Sequence, residues 1–189
     1  EPSWAILFFG LNDALNSGKL VPIETYRDNL RNMIRRLSEH GIKSALITPH
    51  RVVAEYVAER HPTHPRRDAL QGHLADYAAA VRTVAAAEGI LCVDFRARTE
   101  TLGFDRPSAD SFLRCAENCG TKDGLHLMPA GYELLARCVA EVLRPLVRNG
   151  ERIVCFGDSV TFGVHVAGAG MLEGESYPAY LYRILNLRC

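Results

Sequence analysis

The sequence predicts an α/β protein, a parallel sheet covered on both faces by helices and joined by right-handed crossovers. Three observations predict it. Short apolar runs rich in β-branched and aromatic residues alternate with longer segments of helical periodicity. The runs are apolar throughout rather than at every second residue, the pattern of strands covered on both faces. With 48% hydrophobic side chains, 189 residues suffice for one domain with a sizeable core, so residues 1–189 are read as a single domain.

Trp4 to Phe9 is the first strand, and Gly10 stops it. Gly10-Leu11-Asn12-Asp13 is a turn cluster at its carboxyl end, and a polar loop runs on through Pro22. Glu24 to His40 carries Tyr26, Leu30, Met33, Ile34 and Leu37 at three- and four-residue spacing, the mark of an amphipathic helix, which Gly41 ends. Ile42 to Thr48 is the second strand, closed by Pro49. His50 to Arg67 is polar and basic, a loop with a short helix at Val52 to Glu59. Pro62 and Pro65 deny His61 and His64 the helical presentation that metal-binding histidine pairs use, so neither is read as a ligand.

Asp68 to Glu88 is an Ala-rich helix whose apolar face is Leu70, Leu74, Tyr77, Ala78, Val81 and Val84, with Gly89 as its cap. Ile90 to Phe95 is the third strand. The irregular stretch from Arg96 to Lys122 is too long for a simple connector and is expected to shape a pocket rim. After Asp123-Gly124-Leu125-His126-Leu127, Met128 to Val147 is a helix, with Pro129 in its first turn and Pro145 bending or ending it. Asn149-Gly150 makes a tight stop. Arg152 to Phe156 then reads as a short buried strand, broken by Gly157 and followed by Asp158 and Ser159. The Gly-rich loop after Gly163 follows no strand and lacks the Gly-Lys-Ser/Thr ending of a phosphate loop, so it is read as a flexible rim. Tyr177 to Leu187 is the last helix.

Composition narrows the partner. Lys+Arg and Asp+Glu are both 22, so no net field draws the chain to nucleic acid or an anionic membrane, and a small-molecule partner is expected. No apolar run approaches the length of a membrane span and no signal-like start is present, which reads as a soluble chain. Cys92, Cys138 and Cys155 fall within expected strands and a helix and read as buried free thiols. Cys115 and Cys119 share a polar loop and stand open to a local disulfide or half a metal site. A reducing cytosol is the favoured compartment.

In a parallel sheet, Ser159, Gly10-Leu-Asn12-Asp13 and Asp123-x-x-His126 all lie at or beyond the carboxyl edge, where open α/β sheets gather their chemistry. Alone, Ser159 reads equally as a nucleophile or a helix N-cap. Together the three loops supply what acyl transfer needs. An imidazole, His126, takes the hydroxyl proton, and a carboxylate, Asp123, fixes its tautomer. The Ser159 backbone N–H and the Asn12 amide meet the developing oxyanion. His50 and His165 also follow strand-end turns and are candidates for the pocket wall, though neither has a carboxylate at matching spacing. Asp158, Asp13 and Leu125, adjoining these groups, are expected to line the substrate site.

Phe156-Gly157-Asp158-Ser159, Gly10-x-Asn12-Asp13 and Asp123-Gly-Leu-His126-Leu127 resemble the first, third and fifth sequence blocks of the SGNH hydrolases, also called GDSL esterases and lipases. Further similarity, over most of residues 4–147 and 152–187, is to the small esterases of the isoamyl-acetate-hydrolysing type. The resemblance implies a flavodoxin-like three-layer sandwich without metal or organic cofactor. It also implies Ser159 as nucleophile, His126 as base, Asp123 as its orienter and Asn12 as oxyanion donor.

The order departs from the family: the serine block comes last. The chain therefore reads as a circular permutation across Arg148 to Arg152, with the family's carboxyl-terminal part in 1–148 and its amino-terminal part in 151–189. The family's second block, a Gly whose N–H also faces the oxyanion, and the strand before it are expected to be absent. Loss of one such donor typically costs roughly 2.7–4 kcal/mol of transition-state stabilisation. The missing strand would also bare an edge of Arg152 to Phe156 and invite a second copy or a complementing segment. The functional expectation is a serine esterase of short-chain acyl esters. The alternatives are a weak or silent ligand-binding module, or a related deacetylase, lysophospholipase or thioesterase.

Overall fold

The computed structural model describes residues 1–186; Leu187, expected to end the last helix, and Cys189 lie outside them. In chain order the elements are β1 (Trp4–Phe8), α1 (Leu11–Leu15), α2 (Ile23–Glu39), β2 (Lys43–Ile47), α3 (Ala54–Arg60), α4 (Leu70–Glu88), β3 (Leu91–Val93) and α5 (Phe95–Glu100). They continue with α6 (Ala116–Cys119), α7 (Pro129–Leu143), β4 (Ile153–Gly157), α8 (Ser159–Phe162) and α9 (Tyr177–Asn186). All four strands run parallel in the order β3-β2-β1-β4. On the helical sides, α2 packs with α4 and β2, while α7 packs with α9. The sandwich and its parallel sheet are as the apolar runs predict.

Register positions the site. Phe8 of β1 lies opposite Gly157 of β4, so the turns leaving these two strands emerge side by side. One turn carries Asn12 and the other Ser159. The strands' amino-terminal ends are tied as well: the Ser3 and Trp4 N–H groups donate to the Arg152 carbonyl, and the Trp4 indole N–H donates to the Glu151 carboxylate.

Several elements differ from expectation for local reasons. The polar loop after Gly10 contains a short helix, α1, because Leu11, Ala14 and Leu15 fall on one buried face and the Asp13 carboxylate accepts the Gly10 N–H. At the other end of the sheet, β3 has only three residues. Asp94 accepts the Ala97 N–H as the cap of α5, so Phe95 begins a helix instead of ending a strand. Cys115 and Cys119 are unpaired, and all five cysteines among the described residues are free thiols.

The strand β4 is not buried as its apolar residues suggest. Among the described residues it pairs only with β1, and Val154 and Phe156 are 44% and 52% exposed. A groove of about 970 Å³ runs along its outer side, walled by α9 and by Met171 and Leu172. The bared edge expected for Arg152 to Phe156 is present.

Candidate active site

Ser159 stands where it does because of Gly157. A Cβ on Gly157 would lie 2.1 Å from Thr161 Oγ1 and 2.6 Å from the Phe8 carbonyl oxygen, so the strand can turn this tightly only without a side chain. Capping falls to Asp158, whose Oδ1 accepts the Val160 N–H at 3.1 Å. Ser159 is therefore the first residue of α8 and not its N-cap, which frees its hydroxyl. Its N–H, at the start of the helix, has no acceptor within α8.

His126 Nε2 lies 3.0 Å from Ser159 Oγ. On the other side of the ring, Nδ1 lies 3.0 Å from Asp123 Oδ2 and 3.2 Å from Oδ1. The Asp123 carboxylate also accepts the N–H groups of Leu125 and His126, at 2.9 and 2.8 Å, so it is held rigidly under the ring it faces. Burial pushes this carboxyl's pKa up, but the His126 ring, the backbone N–H groups and the imidazole's charge outweigh burial and hold it well below the usual carboxylate range. Asp123 thus stays an anion throughout the range in which an imidazole titrates.

The loop that carries this pair is pinned on two sides. Gly124 donates to the Arg114 carbonyl, Arg114 N–H donates to the His126 carbonyl, and Leu113 bridges Leu127. From α3, Arg60 donates to the Asp123 carbonyl oxygen at 2.7 Å, and the Val53 N–H donates to the Gly124 carbonyl. At Gly124 the backbone has φ +71°, and a Cβ would meet that of Val53 at 2.9 Å. Neither Arg60 nor Arg114 stands out in the sequence, since their work is backbone clamping from segments read as irregular or loop.

Asn12 comes to the same edge on α1, and its Nδ2 donates to Asp158 Oδ2 at 2.8 Å. The amide retains a second N–H. Asp13, in the first turn of α1, accepts the N–H of the Gly10 cap; burial raises its pKa, against the backbone hydrogen bonds that lower it, and the nearby Asp158 adds to the rise. Leu125 is half-buried and packs against the core. Asp158, Asp13 and Leu125 thus adjoin the hydroxyl, the Asn12 amide and the imidazole, with both carboxylates engaged in internal hydrogen bonds.

The two candidate wall histidines separate. His50 is fully buried beneath the edge, packed on Phe8, Phe95 and Phe104, with Nδ1 donating to the Arg51 carbonyl at 2.6 Å; it lines no open pocket. His165 does reach the site. Its Nε2 lies 3.9 Å from Asp123 Oδ2 and its ring meets that of His126 edge-on at 5.1 Å. The carboxylate absent from its own segment comes from a distant one, which spacing along the chain could not show. Asp123, His126 and His165 have donor atoms close enough together to hold a metal ion. His61 Nδ1 bonds with the Ser17 hydroxyl, and His64 Nε2 with the Ala14 carbonyl.

A hydroxyl, an imidazole and a buried carboxylate in one hydrogen-bonded line, at the carboxyl end of a parallel sheet, suit attack on an acyl carbon. Residues 1–134, which include Asn12, Asp123 and His126, match the profile described as the GDSL-like Lipase/Acylhydrolase family. The chain belongs to this family. The fold of this GDSL-like chain is similar to that of a lipase/acylhydrolase from Enterococcus faecalis, at 25% identity and TM-score 0.58, over 79% of this chain and 65% of that one. It is also similar to Axe2, an acetylxylan esterase from Geobacillus stearothermophilus, at 21% identity and TM-score 0.55, over 75% of this chain and 59% of that one. The GDSL-like chain therefore spans less than two thirds of the length of either protein. No curated protein matches it.

Proposed function

We propose that this GDSL-like chain is a serine esterase that hydrolyses short-chain carboxylic acyl esters through an acyl-enzyme. The observation that carries the reading is the line Asp123–His126–Ser159, with 3.0 Å at each of its two joints. Ser159 Oγ attacks the acyl carbon while His126 Nε2 takes its proton. The imidazolium then gives that proton to the departing alkoxide. Asp123 holds the Nδ1–H tautomer and offsets the imidazolium charge. The Ser159 N–H and the second N–H of the Asn12 amide are the oxyanion donors. Water repeats the sequence to release the acid. Asp158 sets the donor geometry by holding both Asn12 and the start of α8.

Acetyl esters are the first substrates to try, since acetylxylan esterases share the fold. The serine motif lies outside the family match and follows the Asp-His block, which is consistent with a permuted order. The reading is tested by covalent labelling with a fluorophosphonate together with hydrolysis of p-nitrophenyl acetate. Label on Ser159 that disappears in Ser159→Ala supports it. Persistent label in that variant, or unchanged turnover in His126→Ala, refutes it.

A second reading, a weak or silent small-ligand module, is favoured by one observation. Among the described residues the outer side of β4 has no neighbouring strand, and there the family resemblance puts a further oxyanion N–H. Intact ligand-dependent stabilisation without turnover would select it.

A further inference from the structure

We propose that Asp123, His126 and His165 form an inhibitory site for a borderline divalent cation such as Zn²⁺. This is a regulation of the active site that rests on the esterase reading for its consequence, though not for the binding itself. One ligand atom from each residue lies within 4.8 Å of the other two. Asp123 Oδ2 is 3.0 Å from His126 Nδ1 and 3.9 Å from His165 Nε2. Ligand atoms around a tetrahedral zinc at its usual bond lengths stand roughly 3.3 Å apart, so a small closure of the His165 ring completes three corners of a tetrahedron. Two imidazoles and a carboxylate are also a donor set that zinc prefers over magnesium.

The third ligand is held in place by its backbone. His165 has φ +75°, alone among the non-Gly residues described in lying in the left-handed region. Its carbonyl accepts from Arg114, which also clamps the Asp123–His126 loop, so the rim and the loop share one anchor. The ring itself is half exposed, leaving an approach from solvent.

The consequence follows from the tautomer. A cation seated on His126 Nδ1 takes the lone-pair position that Asp123 faces. The proton that Nδ1 carried passes through solvent to Nε2, with none gained or lost overall. Nε2 then presents an N–H to Ser159 and cannot accept the serine proton, so acyl transfer stops while the metal stays. The inhibition is reversible, because no covalent bond of the protein changes.

The test uses the full chain with Zn²⁺, Co²⁺ and Mg²⁺ as probes. Wild-type hydrolysis of p-nitrophenyl acetate is expected to fall with Zn²⁺ and return with EDTA, with Mg²⁺ without effect. His165→Asn, which keeps a residue tolerant of the left-handed backbone, and His165→Ala, each compared with its own metal-free rate, should need about tenfold more Zn²⁺ or beyond for the same fractional loss. Binding is read separately from turnover on Ser159→Ala: the visible absorption of tetrahedral Co²⁺ should appear there and be lost on adding His165→Asn. Equal zinc sensitivity in wild type and both His165 variants, or no cobalt spectrum with Ser159→Ala, overturns the site. A metal-free wild type without turnover refutes the esterase reading instead, and leaves the cobalt spectrum to decide the site.

Discussion

At the residue scale, the Asp123–His126–Ser159 line depends on each group being held before substrate arrives. Asp123→Asn would keep the loop's packing but lose the anion that selects the Nδ1–H tautomer, and turnover is expected to fall by roughly 10²–10⁴ with little change in KM, as read from steady-state kinetics. Because the reaction needs a neutral imidazole as base beside an ionised Asp123, activity should also fall toward acid pH. A rate rising steadily toward pH 5 would contradict this.

His50 makes a separate prediction about stability. Burial lowers its pKa to about 4, with the Arg51 carbonyl opposing, His126 and Arg96 adding to the drop, and Asp123 opposing. An unfolded imidazole titrates near ~6.5, so between these values the unfolded chain binds the proton and the folded chain does not. Stability from the neutral ring is therefore complete above the unfolded value and is lost as pH falls toward 4, by on the order of 3 kcal/mol. Denaturant unfolding at pH 7 and pH 4.5 should show His50→Phe losing markedly less stability over that interval than wild type.

At the scale of elements, the turn from β4 into α8 is the most sensitive joint. Gly157→Ala would drive a methyl into Thr161 and the Phe8 carbonyl, and is expected to cost about 1–3 kcal/mol or more, measured as a lowered urea midpoint, with Ser159 displaced from His126. Legibility in the sequence followed the same physics. Glu24 to His40 and Asp68 to Glu88 were readable because helices of that length repeat their apolar face four or five times, and the observed α2 and α4 match them closely. The short α1 has one turn, too brief for a period to show. Phe95 looked like a strand residue because it is apolar, and only the capping of α5 by Asp94 decided otherwise. Ser159 and Asn12 are groupable because each follows a Gly-containing turn at a strand end, and Asp123 and His126 because they flank Gly124 in a compact Asp-x-x-His loop. His165 reads from the sequence only as a wall candidate, since what places it is a left-handed backbone and an Arg114 clamp contributed from a segment without periodicity.

At the scale of the whole molecule, the sheet is asymmetric. The strand β3 is short at one edge, whereas β4 offers Val154 and Phe156 beside a groove that continues onto α9. An edge with unpaired N–H and C=O groups and apolar side chains is a template for another strand. We propose that it pairs with a second copy of the chain. Sedimentation velocity is expected to show concentration-dependent association of the wild-type chain that Phe156→Lys weakens. A monomer at every concentration in both would remove the second copy as a partner.

The most direct test of the esterase reading is to trap its intermediate. The chain is mixed with p-nitrophenyl acetate, quenched in acid within one turnover, digested and sequenced by mass spectrometry. One acetyl group on Ser159, absent in Ser159→Ala and greatly diminished in His126→Ala, is the predicted result. Acetyl carried by a different residue, or turnover that survives at full rate in Ser159→Ala, would contradict it.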